Sequence, residues 1–304
     1  MTRLSRRQWL AASSLLLAGR ASAAPKPPRL PLGFSLYGMK SLPLAGAISA
    51  CAEIGYDGVE LALMPGYPAE PKLLSPDARK ELRKRLADAK LSLHGLMENL
   101  PALGTDKAHR ANLDRLKVAA ELGHALSPDA PPPIETILGG KPAEWEKVKD
   151  NLAERLRSWA DIGKAIKTVI AVKPHVGNAL HSVAGATWLL KQVNSPWVRL
   201  AFDFSHLVLR GEKLADAVAA LVPHAAFVHV KDAKGTPGKF EFLLPGEHGI
   251  DYAEYAKLLA AAKYAGPVVV EVSGMISNKP GYDPRAAAKK SYANLSRAFG
   301  RAAK

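Results

Sequence analysis

Acidic, histidine and lysine residues recur where the apolar runs of this 304-residue chain come to an end. Glu60 falls in GVELAL, His94 in LSLHGLM, and Lys173 and His175 in AVKPH. Asp203 and His206 stand in AFDFSH, His229, Lys231 and Asp232 in FVHVKD, and Glu271 in VVVEVS. Carboxylates and imidazoles are common carriers of general acid–base chemistry. Asp203, His229 and Glu271 together make an oxygen–nitrogen–oxygen set suited to Mn²⁺, Mg²⁺, Co²⁺ or Zn²⁺. Such an ion would act as a Lewis acid on a carbonyl or hydroxyl of a substrate. The competing reading is an ion-pair network in which Lys173 or Lys231 supplies the positive charge. A histidine taken singly is more often a satisfied core residue, so a functional site requires these groups to converge.

They converge only if the apolar runs are strands of one sheet with their carboxyl ends on the same side. From residue 30 onward, LPLGFSLYG, GVELAL, LSLHGLM, a weaker PPIETILGG, TVIAVKPH, VRLAFDFSH, AAFVHVKDA and PVVVEVS read as strands. Between them lie amphipathic helical stretches such as PDARKELRKRLADAK and EWEKVKDNLAERLRSWADIGKAI. Strands alternating with helices imply parallel β-α-β units. Eight such units in about 275 residues predict an α/β fold, a closed (β/α)8 TIM barrel forming a single domain, with its site at the strand carboxyl ends. A dinucleotide-binding sheet would carry a Gly-rich turn after the first strand. That place holds Tyr37-Gly38-Met39-Lys40-Ser41, and no phosphate-cradling P-loop occurs elsewhere.

Composition is that of an ordinary globular chain, not a fibrous, low-complexity or disordered one: 48% hydrophobic, 23% charged, 24 Gly and 23 Pro. The single cysteine, Cys51, excludes an intramolecular disulfide framework and reads as a small core residue. No apolar run is long enough to span a membrane. The net charge of +14 is partly local. Residues 1–23 hold Arg3, Arg6, Arg7 and Arg20 and no acid, leaving 38 basic against 28 acidic residues, a net of +10, in the remainder. Those charges are scattered along helical stretches as on a solvated face, and nucleic acid is not the expected partner. The amino terminus combines SRRQWL, the apolar WLAASSLLLAG and the small-x-small site Ala21-Ser22-Ala23. This predicts a twin-arginine-type signal peptide over 1–23, a barrel domain over 24–304, and a periplasmic or secreted location.

GYDGVEL, AFDFSH, HVKD, PGEHGIDYAEYAKLLAAAKY and VVVEVS together resemble the xylose isomerase-like barrels, the sugar-phosphate isomerase and epimerase family, from about residue 33 to about residue 300. The resemblance implies one divalent metal held by four ligands: a Glu ending strand five, an Asp opening a D-x-x-H on strand six, a His on strand seven and a Glu ending strand eight. The last three correspond to Asp203, His229 and Glu271, and His206 to a substrate contact near the metal. The sequence departs from the family at strand five, where AVKPH places Lys173 in the position of the Glu. A protonated Lys cannot coordinate a cation. Either the metal survives on three protein ligands, or Lys173 takes its role, and a two-carboxylate epimerase mechanism loses one member.

The function expected on these grounds is an exported sugar isomerase or epimerase acting on an unphosphorylated sugar or keto-sugar, by proton abstraction beside a carbonyl. Glu271, His206 or a neutralised Lys173 would be the catalytic base, with Glu60, His94, His175 and Lys231 as substrate contacts. Lys173 as a Schiff-base nucleophile is a further option. Three alternatives stand beside it: a non-catalytic sugar-binding barrel in which Lys173 replaces the metal, a keto-sugar lyase, and an endonuclease-like phosphodiesterase. The last lacks the acid-x-His expected before the turn in EFLLPGE.

Overall fold

Short apolar strands alternating with helices bury both faces of a parallel sheet when that sheet closes on itself, and the chain adopts this arrangement. The computed structural model describes residues 29–301, so the expected signal peptide lies outside the described residues. Eight strands close into a parallel barrel: β1 (Leu32–Ser35), β2 (Gly58–Ala62), β3 (Ser92–Met97), β4 (Ile134–Thr136), β5 (Ile170–Val172), β6 (Val198–Asp203), β7 (Ala225–Val230) and, after the hairpin β8 (Asp232–Thr236) and β9 (Lys239–Leu243), the last barrel strand β10 (Val268–Val270). The order around the ring is β1-β10-β7-β6-β5-β4-β3-β2, so that β10 closes the barrel between β7 and β1. Five of the longer helices begin where a side chain caps them. Ser75, Thr105, Ser182, Asp251 and Asp283 each accept a hydrogen bond from a backbone N–H of the following first turn.

Side chains of a strand alternate between its two faces, and here one face meets the helices while the other fills the barrel. Ala171, Ala201, Phe227 and Val269 form a small apolar cluster of their own inside the barrel, separate from the main core between strands and helices. Two residues further along each strand direction stand Lys173, Asp203, His229 and Glu271. The two-residue period therefore puts these four groups on the inward face, one layer nearer the carboxyl ends.

The floor of the barrel depends on glycine. The ring of His94 lies so close to Gly33 and Gly58 that a Cβ on either would stand 2.4 Å and 2.3 Å from its nitrogens. At the amino-terminal end of the barrel Asp57 joins Arg29 and Leu32 to Arg301, the first and last stretches of the described residues. Its carboxylate accepts from Leu32 N at 2.8 Å, from Arg29 at 2.6 Å and from Arg301, whose guanidinium also donates to Leu30 O at 2.8 Å.

Two local readings of the sequence need correction. The strand expected through His206 stops at Asp203, whose carboxylate accepts from Ser205 N at 3.1 Å and caps the short helix Phe204–Val208. The apolar run AAFVHVKDA breaks after Val230, and Asp232 opens an antiparallel hairpin that the sequence reading had not separated. No described helix is long and apolar enough to cross a membrane.

Candidate active site

The carboxyl ends of the strands surround a cavity of about 330 Å³ lined by Tyr37, Tyr67, Glu98, Glu135, Lys173, His175, His206, Phe242 and Glu271, among others. Tyr37 and Tyr67 stack at 5.5 Å between ring centroids and form one wall. Phe242, delivered by the β8–β9 hairpin, packs edge-on against His206 at 4.8 Å and lies 4.9 Å from the Lys231 ammonium.

At the floor the charged groups form one connected network. Lys173 Nζ lies 2.6 Å from Glu271 Oε2, 3.0 Å from Glu135 Oε1 and 4.0 Å from Asp203 Oδ2. Glu135 and Glu271 come from β4 and from the residue after β10, on opposite walls of the ring, so the ammonium bridges the barrel. Lys231 Nζ contacts Asp203 Oδ2 and lies 3.1 Å from Glu271 Oε2. His229 Nε2 is 3.2 Å from Glu60 Oε2, and its Nδ1 is 3.0 Å from Glu271 Oε2 without hydrogen-bond geometry. Ser205 Oγ donates to Asp203 Oδ1 at 2.6 Å.

Burial and neighbouring charge set the protonation states. Burial alone would lower the pKa of Lys173, but Glu135, Glu271 and Asp203 outweigh it and hold the ammonium well above its usual range. Burial alone would raise Glu271, yet Lys173 and Lys231 keep that carboxylate well below its usual value. Glu135 moves the other way: burial dominates the opposing Lys173 charge and pushes its carboxyl up to about 7. His229 is depressed by burial and Lys173 but carried up to about 9 by Glu60 and Glu271. Burial lowers His175 to about 4 and takes His206 well below its normal value, so both rings are neutral. Nδ1 of His175 accepts from Gly177 N at 3.1 Å, which leaves Nε2–H as its donor. His206 Nδ1 faces Val176 N at 3.4 Å and its Nε2 faces Asp203 Oδ2 at 3.5 Å.

Of the residues singled out in the sequence, Lys173, His175, His206 and Glu271 line the cavity, while Asp203, His229 and Lys231 do not line it but contact those that do. Glu60 is fully buried against His229, and His94 is buried among Gly33 and Gly58 with Nδ1 unpartnered. Neither lines the cavity, so the substrate-contact role expected for Glu60, His94 and Lys231 does not follow from their placement. Glu135, Glu98 and Phe242 were missed. Glu135 is the acid in a short strand that read weakly, and an acid inside a buried strand was the available signal. Glu98 follows its strand by one residue and is held by Arg115 Nε at 2.7 Å.

A family model described as the xylose isomerase-like TIM barrel matches residues 48–298. The chain belongs to that family. It is 26% identical to an inosose dehydratase of Clostridium botulinum (strain Eklund 17B / Type B), over 74% of this chain and 80% of that protein. Among solved structures it superposes on an IolI protein with a bound zinc atom, with a TM-score of 0.72, 20% identity, and coverage of 89% of this chain and 100% of the other. An L-ribulose 3-epimerase gives a TM-score of 0.67 at 19% identity, over 88% of this chain and 95% of the epimerase. These structural likenesses concern the fold.

Asp203, His229 and Glu271 each offer a ligand atom, all within 4.8 Å of one another, so by donor type and proximity the trio could hold a metal ion. The ammonium groups decide how well an ion fits beside them. Glu271 Oε2 is shared by Lys173 and Lys231, and Asp203 Oδ2 is in contact with Lys231. A divalent ion about 4 Å from one ammonium is repelled by about 8 kcal/mol at an effective dielectric of 20. With Lys173 and Lys231 on the same carboxylate oxygens, an ion on this trio has to compete with two ammonium groups for its ligand atoms.

Proposed function

We propose that this protein is an enzyme that removes a proton beside the carbonyl of a small, unphosphorylated keto-sugar or keto-polyol, leading to isomerisation, epimerisation or loss of water. The observation that carries this reading is the Lys173 ammonium held between Glu135 and Glu271 at the floor of the cavity. A fixed ammonium in a site with little water polarises a carbonyl oxygen and stabilises the enolate that forms when the neighbouring proton leaves. Glu135 suits the base. Its carboxyl lies near neutral pH, where a group can both accept and return a proton. Glu271 is committed to two ammonium groups, and both ring nitrogens of His206 face other groups. The raised pKa of Lys173 makes it an electrophilic cation rather than a base or a Schiff-base nucleophile.

His175, neutral and presenting Nε2–H, is placed to donate to a substrate or leaving hydroxyl. The stacked tyrosines supply an apolar wall for the C–H face of a sugar. The lining carries Glu98, Glu135 and Glu271 and no arginine among the described residues, which supports an uncharged rather than a phosphorylated substrate. Similarity to an inosose dehydratase supports a cyclic or open-chain keto-polyol and makes elimination a natural outcome of the same first step. Export through the amino-terminal twin-arginine pattern is part of the proposal, and amino-terminal sequencing of the mature protein checks it.

The test is hydrogen exchange. Purified protein is incubated in D₂O with inosose and a set of free ketohexoses, and C–H signals beside the carbonyl are followed by NMR. Exchange or conversion is expected with at least one of them, reduced about 10²–10⁴-fold in Glu135→Gln. A Glu135→Gln protein exchanging at the parental rate refutes the assignment of the base. Binding of a sugar with neither exchange nor conversion refutes the enzyme reading in favour of a sugar-binding barrel.

A further inference from the structure

We propose that Lys173 is the resident cation of this site, and that the protein works with an ammonium where its charge arrangement would otherwise demand a divalent metal ion. The proposal rests on the reading of the cavity as the active site, but its central claim concerns metal content and can be tested without any substrate.

Three observations carry it. First, Lys173 stands two residues beyond the inward-facing Ala171, in the same barrel layer as Asp203, His229 and Glu271, so its head group enters the space those three surround. Second, it contacts the very atom a shared ion would need: Glu271 Oε2 is 2.6 Å from Lys173 Nζ and 3.0 Å from His229 Nδ1. Its second strong contact, Glu135 Oε1 at 3.0 Å, lies on the opposite wall, so one ammonium joins Glu271 of the candidate ligand trio to a carboxylate outside it. Third, Lys173 and Glu135 are about as buried as side chains become, at 3% and 2% exposed. A buried carboxylate pair needs a positive charge between its members, and here the chain carries that charge itself.

The consequence is chemical as well as structural. An ammonium donates hydrogen bonds but offers no open coordination position. The substrate oxygen would therefore meet Lys173 through a charge-assisted hydrogen bond, and activity would not depend on metal supply. Removing the positive charge of Lys173 and placing a negative one there would leave Glu135 and the new carboxylate without a cation, and Asp203 and Glu271 with Lys231 alone, beside a ready imidazole nitrogen. A substitution of that kind should convert the site into a metal site.

The experiment compares the full protein with Lys173→Glu, purified without chelator, by elemental analysis and by titration with Mn²⁺ and Zn²⁺ alone. The parent is expected to hold far less than one ion per chain and to show no shift of its melting temperature with EDTA or with either metal. Lys173→Glu is expected to take up about one ion per chain and to be stabilised by it, as binding to the native state alone requires. Addition of His229→Ala should abolish that uptake. A stoichiometric ion in the parent, lost on His229→Ala, overturns the proposal. So does a folded Lys173→Glu protein that takes up no ion. Should Lys173→Glu fail to fold, the parent decides: saturable Mn²⁺ or Zn²⁺ binding that protects it against melting overturns the proposal, and its absence, together with turnover insensitive to EDTA, sustains it. Absence of turnover in the parent, with metal content as expected, would count against the catalytic reading alone.

Discussion

Replacing Lys173 with methionine keeps much of the side-chain volume and removes the charge that joins Glu135 to Glu271. Both carboxylates are then left in a barrel interior with their cation gone, apart from the contacts of Glu271 with Lys231 and His229. Removing one partner of a buried ion pair costs about 3–5 kcal/mol, because the other is left uncompensated. At about 2–4 °C per kcal/mol for a chain of this size, the melting temperature should fall by about 10 °C near neutral pH. The sign of the pH dependence follows from the carboxylates. In the parent, Glu271 titrates well below its unfolded value, so its contribution to stability is present above that value and lost as pH falls. Glu135, raised to about 7, subtracts stability as pH rises from the unfolded carboxylate value toward 7. Without Lys173 both carboxyls shift upward, so the deficit of the variant should grow from about pH 5 to about pH 8 and shrink in acid, where protonation relieves it. Differential scanning calorimetry across that range measures it, with Lys257→Met, on a side chain 72% exposed, as the control expected to change little. A Lys173→Met protein as stable as the parent at about pH 7.5, or with a deficit that grows toward acid, would refute the bridging role.

Gly58→Ala should destabilise the barrel by about 1–3 kcal/mol or more in urea titrations, because its Cβ would stand 2.3 Å from His94 Nε2 and 2.5 Å from Ser92 O; an unchanged midpoint would mean that the floor is not packed in this way. Tyr252→Phe removes the hydrogen bond to the buried Asp232 Oδ1 at 2.8 Å, at the root of the β8–β9 hairpin. A loss of about 1–3 kcal/mol is expected, with faster amide exchange in Asp232–Leu243 than in the barrel strands, and equal exchange in parent and variant would show that Asp232 does not anchor the hairpin.

The eight apolar runs and the helices between them were enough to determine the barrel and the end at which its site lies, because strand period and alternation are local properties of the chain. Lys173, Asp203, His229 and Glu271 could be grouped before any coordinate because each ends an apolar run, and the two-residue period from the inward-facing Ala171, Ala201, Phe227 and Val269 is the structural reason they share a face. The departure at AVKPH was equally legible as the wrong charge in a ligand position. What only the tertiary structure decided is which groups touch. Glu135 sits on a three-residue strand, too short to show a pattern, and gains its importance from facing Glu271 across the ring. The hairpin that brings Phe242 over His206 is formed by antiparallel pairing across a turn, and nothing in FVHVKD signals where the barrel strand ends and the hairpin begins. His94 and Glu60 share the sequence signature of site residues, yet the stagger of the strands lowers them below the cavity, the first against Gly33 and Gly58 and the second against His229. Strand-end chemistry is written in the sequence; the layer at which each side chain enters the barrel is fixed by closure and shear, which no single segment contains.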